Sequence, residues 1–197
     1  HKEYRRQRQM CIRDRANYDF SNVASYIDEL VVLDVTRGKK DKSNFNDMLK
    51  SLTKKCFFPV AAGGGVHDES DALALLKSGA DKIVLNSSLI KNPDMVFRLS
   101  RRFGQQCLVG SIDFRKKNNG DFSFIIENAT EVVEEKSREV IQQLHSGIVG
   151  ELYLNSIDRD GTGQGLDLSI LDLLPRKTSL PIILAGGVGN SNHILEG

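Results

Sequence analysis

An ungapped shift of 122 positions lays one stretch of this 197-residue chain on another. Glu151-Leu152 falls on Glu29-Leu30, Arg159 on Arg37, Leu174 on Leu52, Lys177 on Lys55, Pro181 on Pro59, and Gly186-Gly187-Val188 on Gly64-Gly65-Val66. These nine identities share one register and gather at strand starts and glycine loops. Chance supplies single matches, but not their common placement. The repeat predicts a duplicated protein with a half-length near 122 residues.

Between the repeated segments, short apolar runs alternate with amphipathic ones. Residues 30–35 read as a strand meeting Asp34, and Ser43 as the cap of a helix burying Phe45, Met48, Leu49 and Leu52. Residues 57–62 read as a strand closed by Gly63-Gly64-Gly65, after which Asp68 opens a helix with Ala72, Leu73, Leu75 and Leu76 on one face and Gly79 at its end. A strand at 83–85 leads to Asn86-Ser87. Asn92-Pro93 starts a helix that turns Met95, Val96 and Leu99 inward. A strand at 107–112 ends in Asp113. Residues 114–126 form a hairpin arm around a two-residue Asn119-Gly120 turn, and Thr130 caps a helix over 131–145 burying Val133, Val140, Ile141 and Leu144. Then come a strand at 152–157, a helix around 168–174 and a strand at 182–184; residues 22–28 and the segment after 191 read as helical.

Six strand–helix alternations with nearly uniform apolar strands imply a parallel sheet covered on both faces. Two halves of four βα units make eight, so the expected class is α/β: a (β/α)8 TIM barrel with an internal twofold repeat. By this count residues 16–197 carry units two to seven, and strands 1 and 8 are missing. Residues 1–15 hold six Lys or Arg and almost no apolar face. RQRQMCIRDR resembles translated adapter read-through, and the segment is set aside as a non-native or disordered junction.

Composition closes off several functions. Twenty-seven basic and 26 acidic residues leave a net charge of +1, so no global field points to nucleic acid or a membrane surface. Cys11, Cys56 and Cys107 are odd in number and far apart, which suits a reducing cytoplasm; neither they nor His1, His67, His145 and His193 show metal-ligand spacing. No apolar run approaches 18 residues. The expectation is a cytoplasmic protein without metal or cofactor.

Three constellations carry chemistry. The glycine loops 63–65 and 186–187 end strands at equivalent positions, and exposed N–H groups there suit phosphate oxygens, although tight turns alone would also call for glycine. A pseudo-twofold pair of such loops suits a substrate with a phosphate at each end. Asp34, Asp113, Asp158 and Asp160 lie at or just past strand ends, where an Asp is more often a cap. Asp113 directly ends an apolar strand and is the best candidate for acid/base work. Glu29 and Glu151, with Lys82, sit at the opposite ends of their strands; they are either solvated rim charges or a paired cluster inside the barrel.

The segments ELVVLDVT, PVAAGGGV, GADKIVLNSS, GSIDF, ELYLNSIDRDGTGQG and LPIILAGGVG resemble the cyclase subunit of imidazole glycerol phosphate synthase over residues 20–197. The resemblance implies a barrel that takes ammonia from a glutaminase partner. With it, the barrel converts a bis-phosphorylated ribulosyl aminoimidazole carboxamide ribotide to imidazole glycerol phosphate and aminoimidazole carboxamide ribotide, in histidine biosynthesis. It implies a catalytic role for Asp113, whose fellow aspartate belongs to the first strand. It implies phosphate or substrate contacts at Gly64, Gly65, Asn86, Ser87, Asp160, Gly161, Gly186 and Gly187, with Asp34 and Asn155 facing the same site. Glu29, Lys82 and Glu151 match three of four residues of an ammonia gate, the fourth being an Arg before the first strand; Asp81 faces the partner.

Ser87 and Asn155 stand where the family usually has Thr, and Ala185 where it has Ser. LNSIDRDGT is closer to paralogues associated with amidation of surface-polysaccharide sugars. The leading expectation is the histidine-pathway cyclase, in a chain inactive while two strands and one aspartate are missing. The alternatives are the sugar-amidation paralogue, the sister isomerase of the pathway, and a non-catalytic barrel that docks a glutaminase and channels ammonia.

Overall fold

The computed structural model describes residues 28–55, 57–127, 129–133, 137–144, 147–175 and 178–196. The expected helix at 22–28, the junction at 1–15, and Cys56, His145 and Lys177 lie wholly or mostly outside them. Six parallel strands form the frame: β1 (Leu30–Leu33), β2 (Val60–Gly63), β3 (Lys82–Leu85), β4 (Leu108–Lys116), β7 (Glu151–Ser156) and β8 (Ile182–Ala185), hydrogen-bonded in that order. This is the all-parallel βα succession of a partial (β/α)8 barrel.

The repeat is present in the backbone itself. Leu30 lies opposite Val60 and Leu33 opposite Gly63; 122 residues on, Leu152 lies opposite Ile182 and Asn155 opposite Ala185. The N–H of Leu30 donates to the Pro59 carbonyl (3.0 Å), and that of Leu152 to Pro181 (2.9 Å). Two strand pairs thus share one register, which is strongly specified wherever one strand face is buried.

Helices α1 (Lys42–Thr53), α2 (Glu69–Lys77) and α4 (Pro93–Phe103) pack Leu49, Ala72, Leu75, Met95, Val96 and Leu99 against Ala62, Ile83, Leu85, Leu108, Leu152 and Leu154. Between them α3 (Ser87–Lys91) is a short turn, and α5 (Ser137–Leu144) adds Val140, Ile141 and Leu144. This helix side of the sheet holds the main core. Strand alternation turns the other residues to the inner face, where Ala61, Val84 and Val109 pack with Val31 and Tyr153. A short helix, α6 (Ser191–Leu195), follows β8.

Several expectations need correction. The first helix is capped by Asp41, whose carboxylate accepts from the Asn44 N–H, and not by Ser43. β2 begins at Val60 rather than 57, because Phe57 is 92% exposed and Pro59 precedes the ladder. β4 begins one residue late, after a 3₁₀ turn at Gln105–Cys107, and runs past Asp113 to pair antiparallel with β5 (Phe122–Ile126). Lys116 lies opposite Phe122, the Lys117 N–H bonds to the Asp121 carbonyl, and Gly120 has φ +89°, so the turn is a three-residue loop with glycine in the left-handed position. Residues 131–133 are strand β6 (Glu131–Val133), not the start of a helix, because Val132 and Val133 pair with Ile125 and Phe124. The segment at 168–174 is a 3₁₀ helix, Leu168–Leu173.

Candidate functional site

The inner face of the sheet is charged at one end, apolar in the middle and polar at the other end. At the N-terminal ends of the strands, Lys82 at the start of β3 meets Glu29 just before β1 and Glu151 at the start of β7. Its Nζ lies 2.7 Å from Glu29 Oε2 and 2.5 Å from Glu151 Oε1. All three side chains are about one-fifth exposed. Burial is the largest influence on Lys82 and pulls its pKa down, but the hydrogen bonds to Glu151 and Glu29 outweigh it and leave the pKa raised. Of the two readings open in the sequence, the structure has the paired cluster. The second oxygens, Glu29 Oε1 and Glu151 Oε2, are buried with no hydrogen-bond partner among the described residues. They can take a further donor.

Above the apolar belt, β4 and β7 bring Asp113 opposite Asn155. The Asn155 amide donates to Asp113 Oδ1 at 2.9 Å. Asp113 is half-buried, in reach of a ligand at the C-terminal ends of the strands, where barrels build their sites. The antiparallel arm holds that end of β4: Arg115 pairs with Asp158 (2.8 Å), and Lys116 donates to the Ser169 hydroxyl (2.9 Å).

The two glycine loops are close copies. A Cβ on Gly64 (φ +104°) would collide with the backbone of Asp34, and one on Gly186 (φ +88°) with that of Ser156, 122 residues further on. Both glycines are therefore required by close backbone approach as well as by backbone angle. Gly65 (φ +81°) faces the Lys40 side chain, whereas Gly187 (φ +101°) faces the Gly165 carbonyl. Beside the first loop, the Asn86 amide donates to the Ser111 carbonyl (3.1 Å), and the Ser87 hydroxyl accepts from the Glu127 N–H (3.1 Å). Beside the second, Asp160 is exposed, its N–H bonded to the Ser156 carbonyl (2.9 Å), and Gly161 has φ +76°.

Two further residues have local duties. Asp34 is buried; Oδ1 accepts from the Thr36 N–H (2.9 Å), and the Lys40 ammonium binds its backbone carbonyl (2.5 Å). Lys40 is lowered mainly by burial, against the opposing pull of Asp34. Asp81 accepts from the Val60 N–H (2.8 Å), tying β3 to β2 at the same end as Lys82, with its side chain exposed. Among the described residues, no cluster of His, Cys, Asp or Glu could hold a metal, and no helix is long and apolar enough to cross a membrane. What sequence reading missed is the Asn155–Asp113 bond and the loop cation Lys40. The identity of Asn155 was visible, but its partner became apparent only from the β4–β7 register.

Parallel βα units, an inner-face ion cluster at one end and twin glycine loops with a carboxylate at the other define a partial (β/α)8 barrel with a twofold internal repeat. The pattern of the family described as "Histidine biosynthesis protein" matches residues 11–197, and the chain belongs to that family. The chain is 44% identical over 181 residues to the "Putative imidazole glycerol phosphate synthase subunit hisF2" of Parasynechococcus marenigrum (strain WH8102), covering 92% of this chain and 67% of that protein. It is 34% identical to the "Imidazole glycerol phosphate synthase subunit HisF" of Hydrogenobaculum sp. (strain Y04AAS1) over 169 residues, and to that of Streptococcus gordonii over 172. Each of these two alignments covers 86% of this chain and 67% of the relative. The chain thus spans about two-thirds of the length of these relatives.

Proposed function

We propose that the intact enzyme is an ammonia-using cyclase of the imidazole glycerol phosphate synthase type, working with a glutaminase partner. The observation that carries this reading is Lys82 bridging Glu29 and Glu151 on the inner face, directly below an apolar belt that leads to Asp113. Three charges gathered on the inner face at the end away from Asp113, with carboxylate oxygens left for a further donor, suit the passage of something small and polar. Ammonia delivered near Asp81 enters past the gate, moves along Val31, Ala61, Val84 and Val109, and emerges beside the substrate. The sister isomerase, which takes no ammonia, gives that cluster no purpose.

In this reading a bis-phosphorylated ribulosyl aminoimidazole carboxamide ribotide lies across the mouth. Gly64, Gly65, Asn86 and Ser87 hold one phosphate, with Asp34 fixing the loop beside them; Asp160, Gly161, Gly186 and Gly187 hold the other. Asp113 moves protons through ammonia addition, elimination and ring closure, a role worth about 10²–10⁴-fold. The family's second aspartate comes from the first strand of the closed barrel. The test is ammonia-dependent formation of imidazole glycerol phosphate by the eight-stranded enzyme and its Asp113→Asn variant.

One observation favours a second reading. Asn155 reaches Asp113 where the family usually has Thr, so the acid/base group is set differently. A paralogue supplying ammonia for amidation of a surface-polysaccharide sugar would keep the gate and change the substrate. Failure of the eight-stranded protein to rescue a histidine auxotroph, with ammonia channelling intact, selects that reading. Docking of a glutaminase without turnover of any substrate would instead reduce the barrel to a channel.

A further inference from the structure

The two halves share a backbone but not a charge. The loop after β1 reads Thr36-Arg37-Gly38-Lys39-Lys40-Asp41-Lys42-Ser43, and its copy after β7 reads Asp158-Arg159-Asp160-Gly161-Thr162-Gly163-Gln164-Gly165. Four cations and one carboxylate give the first a formal charge of +3; one cation and two carboxylates give the second −1. The arginine common to both does different work. Arg159 donates to the Gly165 (3.3 Å) and Leu166 (3.2 Å) carbonyls and lies 4.0 Å from Asp167, so it braces its own loop. Arg37 is exposed and makes no hydrogen bond or ion pair among the described residues.

Arg37 lines a cleft of about 380 Å³ together with Lys40, Lys42, His67, Glu127 and Thr130, a size suited to a small ligand. The cleft borders the first glycine cradle on two sides. The Lys40 chain lies against Gly65, and the Glu127 N–H bonds the Ser87 hydroxyl. The carboxylates around it already have cations: Asp34 has Lys40 (3.7 Å), Asp71 has Lys42 (2.6 Å) and Glu127 has Lys91 (3.2 Å). That leaves the Arg37 guanidinium, with its fork of donors suited to phosphate oxygens, unanswered beside the cradle.

We propose that this cleft is an anion subsite adjoining the first cradle, so that the first half prefers a substrate end with two adjacent anionic groups, as in a diphosphate, to the single phosphate that the histidine-pathway substrate would present there. The proposal rests on reading Gly64-Gly65 with Asn86 and Ser87 as a phosphate cradle. No feature of the loop 158–165 supplies an equivalent free cation. The subsite would thus orient a substrate with anions at both ends, taking the more acidic end at the first half.

Calorimetric titration of the chain with inorganic phosphate and with pyrophosphate, at one ionic strength, tests it. Pyrophosphate should bind about tenfold tighter than phosphate, and Arg37→Ala should bring the two within about threefold of each other. Arg37 is exposed, so the variant should keep the wild-type melting temperature. Equal affinities in the wild type, or an unchanged preference in Arg37→Ala, would overturn the subsite and leave the cradle standing. Binding of neither anion would overturn the cradle with it.

Discussion

Lys82 is the residue on which most of the inner-face electrostatics depends. Its pKa is raised in the folded chain, so its stabilisation is complete below the ordinary lysine value of 10.5 and is lost as pH rises through the raised value. Lys82→Met leaves two mostly buried carboxylates without their cation, and should cost about 3 kcal/mol in urea denaturation at neutral pH. It should also flatten the alkaline fall in stability that the wild type shows. At the other end, Asn155→Ala removes the donor that holds Asp113 Oδ1. In the eight-stranded enzyme turnover should then drop roughly tenfold with substrate affinity nearly unchanged, because a hydrogen bond to a charged group contributes about 1.5–3 kcal/mol. Arg159→Ala should lower stability by about 1 kcal/mol through its two carbonyl contacts, while Arg37→Ala should not. At this scale residue identities were legible in the sequence and partners were not. Glu29, Lys82 and Glu151 could be flagged as a possible cluster, but only the register of five strands, β1 to β4 and β7, decided between a solvated rim and an ion pair.

Elements were legible where one residue fixes their geometry. Asp68 and Asn92 cap helices as expected, since each places a side-chain oxygen on a backbone N–H near the helix start. The glycine loops were legible for a similar reason: only glycine fits where Gly64 and Gly186 approach the backbones of Asp34 and Ser156. Gly64→Ala and Gly186→Ala should therefore cost similar amounts, roughly 3 kcal/mol each from backbone strain and overlap together, measurable as paired shifts in urea midpoint. Clearly unequal costs would mean the repeat is not carried into local packing. The elements misread were those set by a partner strand. The 119–120 turn looked like a two-residue hairpin until the Lys116–Phe122 register fixed its length, and Val132-Val133 looked helical until β5 claimed them. The turn joining β5 and β6 holds Glu127 and Ala129 at φ +53° and +67°, an arrangement no local signal predicts. Ala129→Gly should stabilise the protein by about 1 kcal/mol, read as a higher melting temperature.

At the scale of the whole molecule, the 122-residue repeat accounts for what is arranged and the departures from it for what is specific. Equivalent registers in β1–β2 and β7–β8 place twin glycine loops at one end of the barrel and two glutamates at the other, bridged by Lys82 from outside the repeat pair. Fold class was readable from that periodicity because parallel βα units leave few other ways to cover both faces of the sheet. Function was readable only in outline, since a barrel hosts many chemistries and the site alone selects among them. In the proposed reaction, ammonia entering past the Lys82 cluster meets a substrate worked on by Asp113. This is tested most directly by ammonia-dependent turnover of the bis-phosphorylated substrate in the eight-stranded enzyme carrying Asp113→Asn. A loss of about 10²–10⁴-fold with substrate binding retained is expected, and full activity in that variant would contradict the proposed role of Asp113.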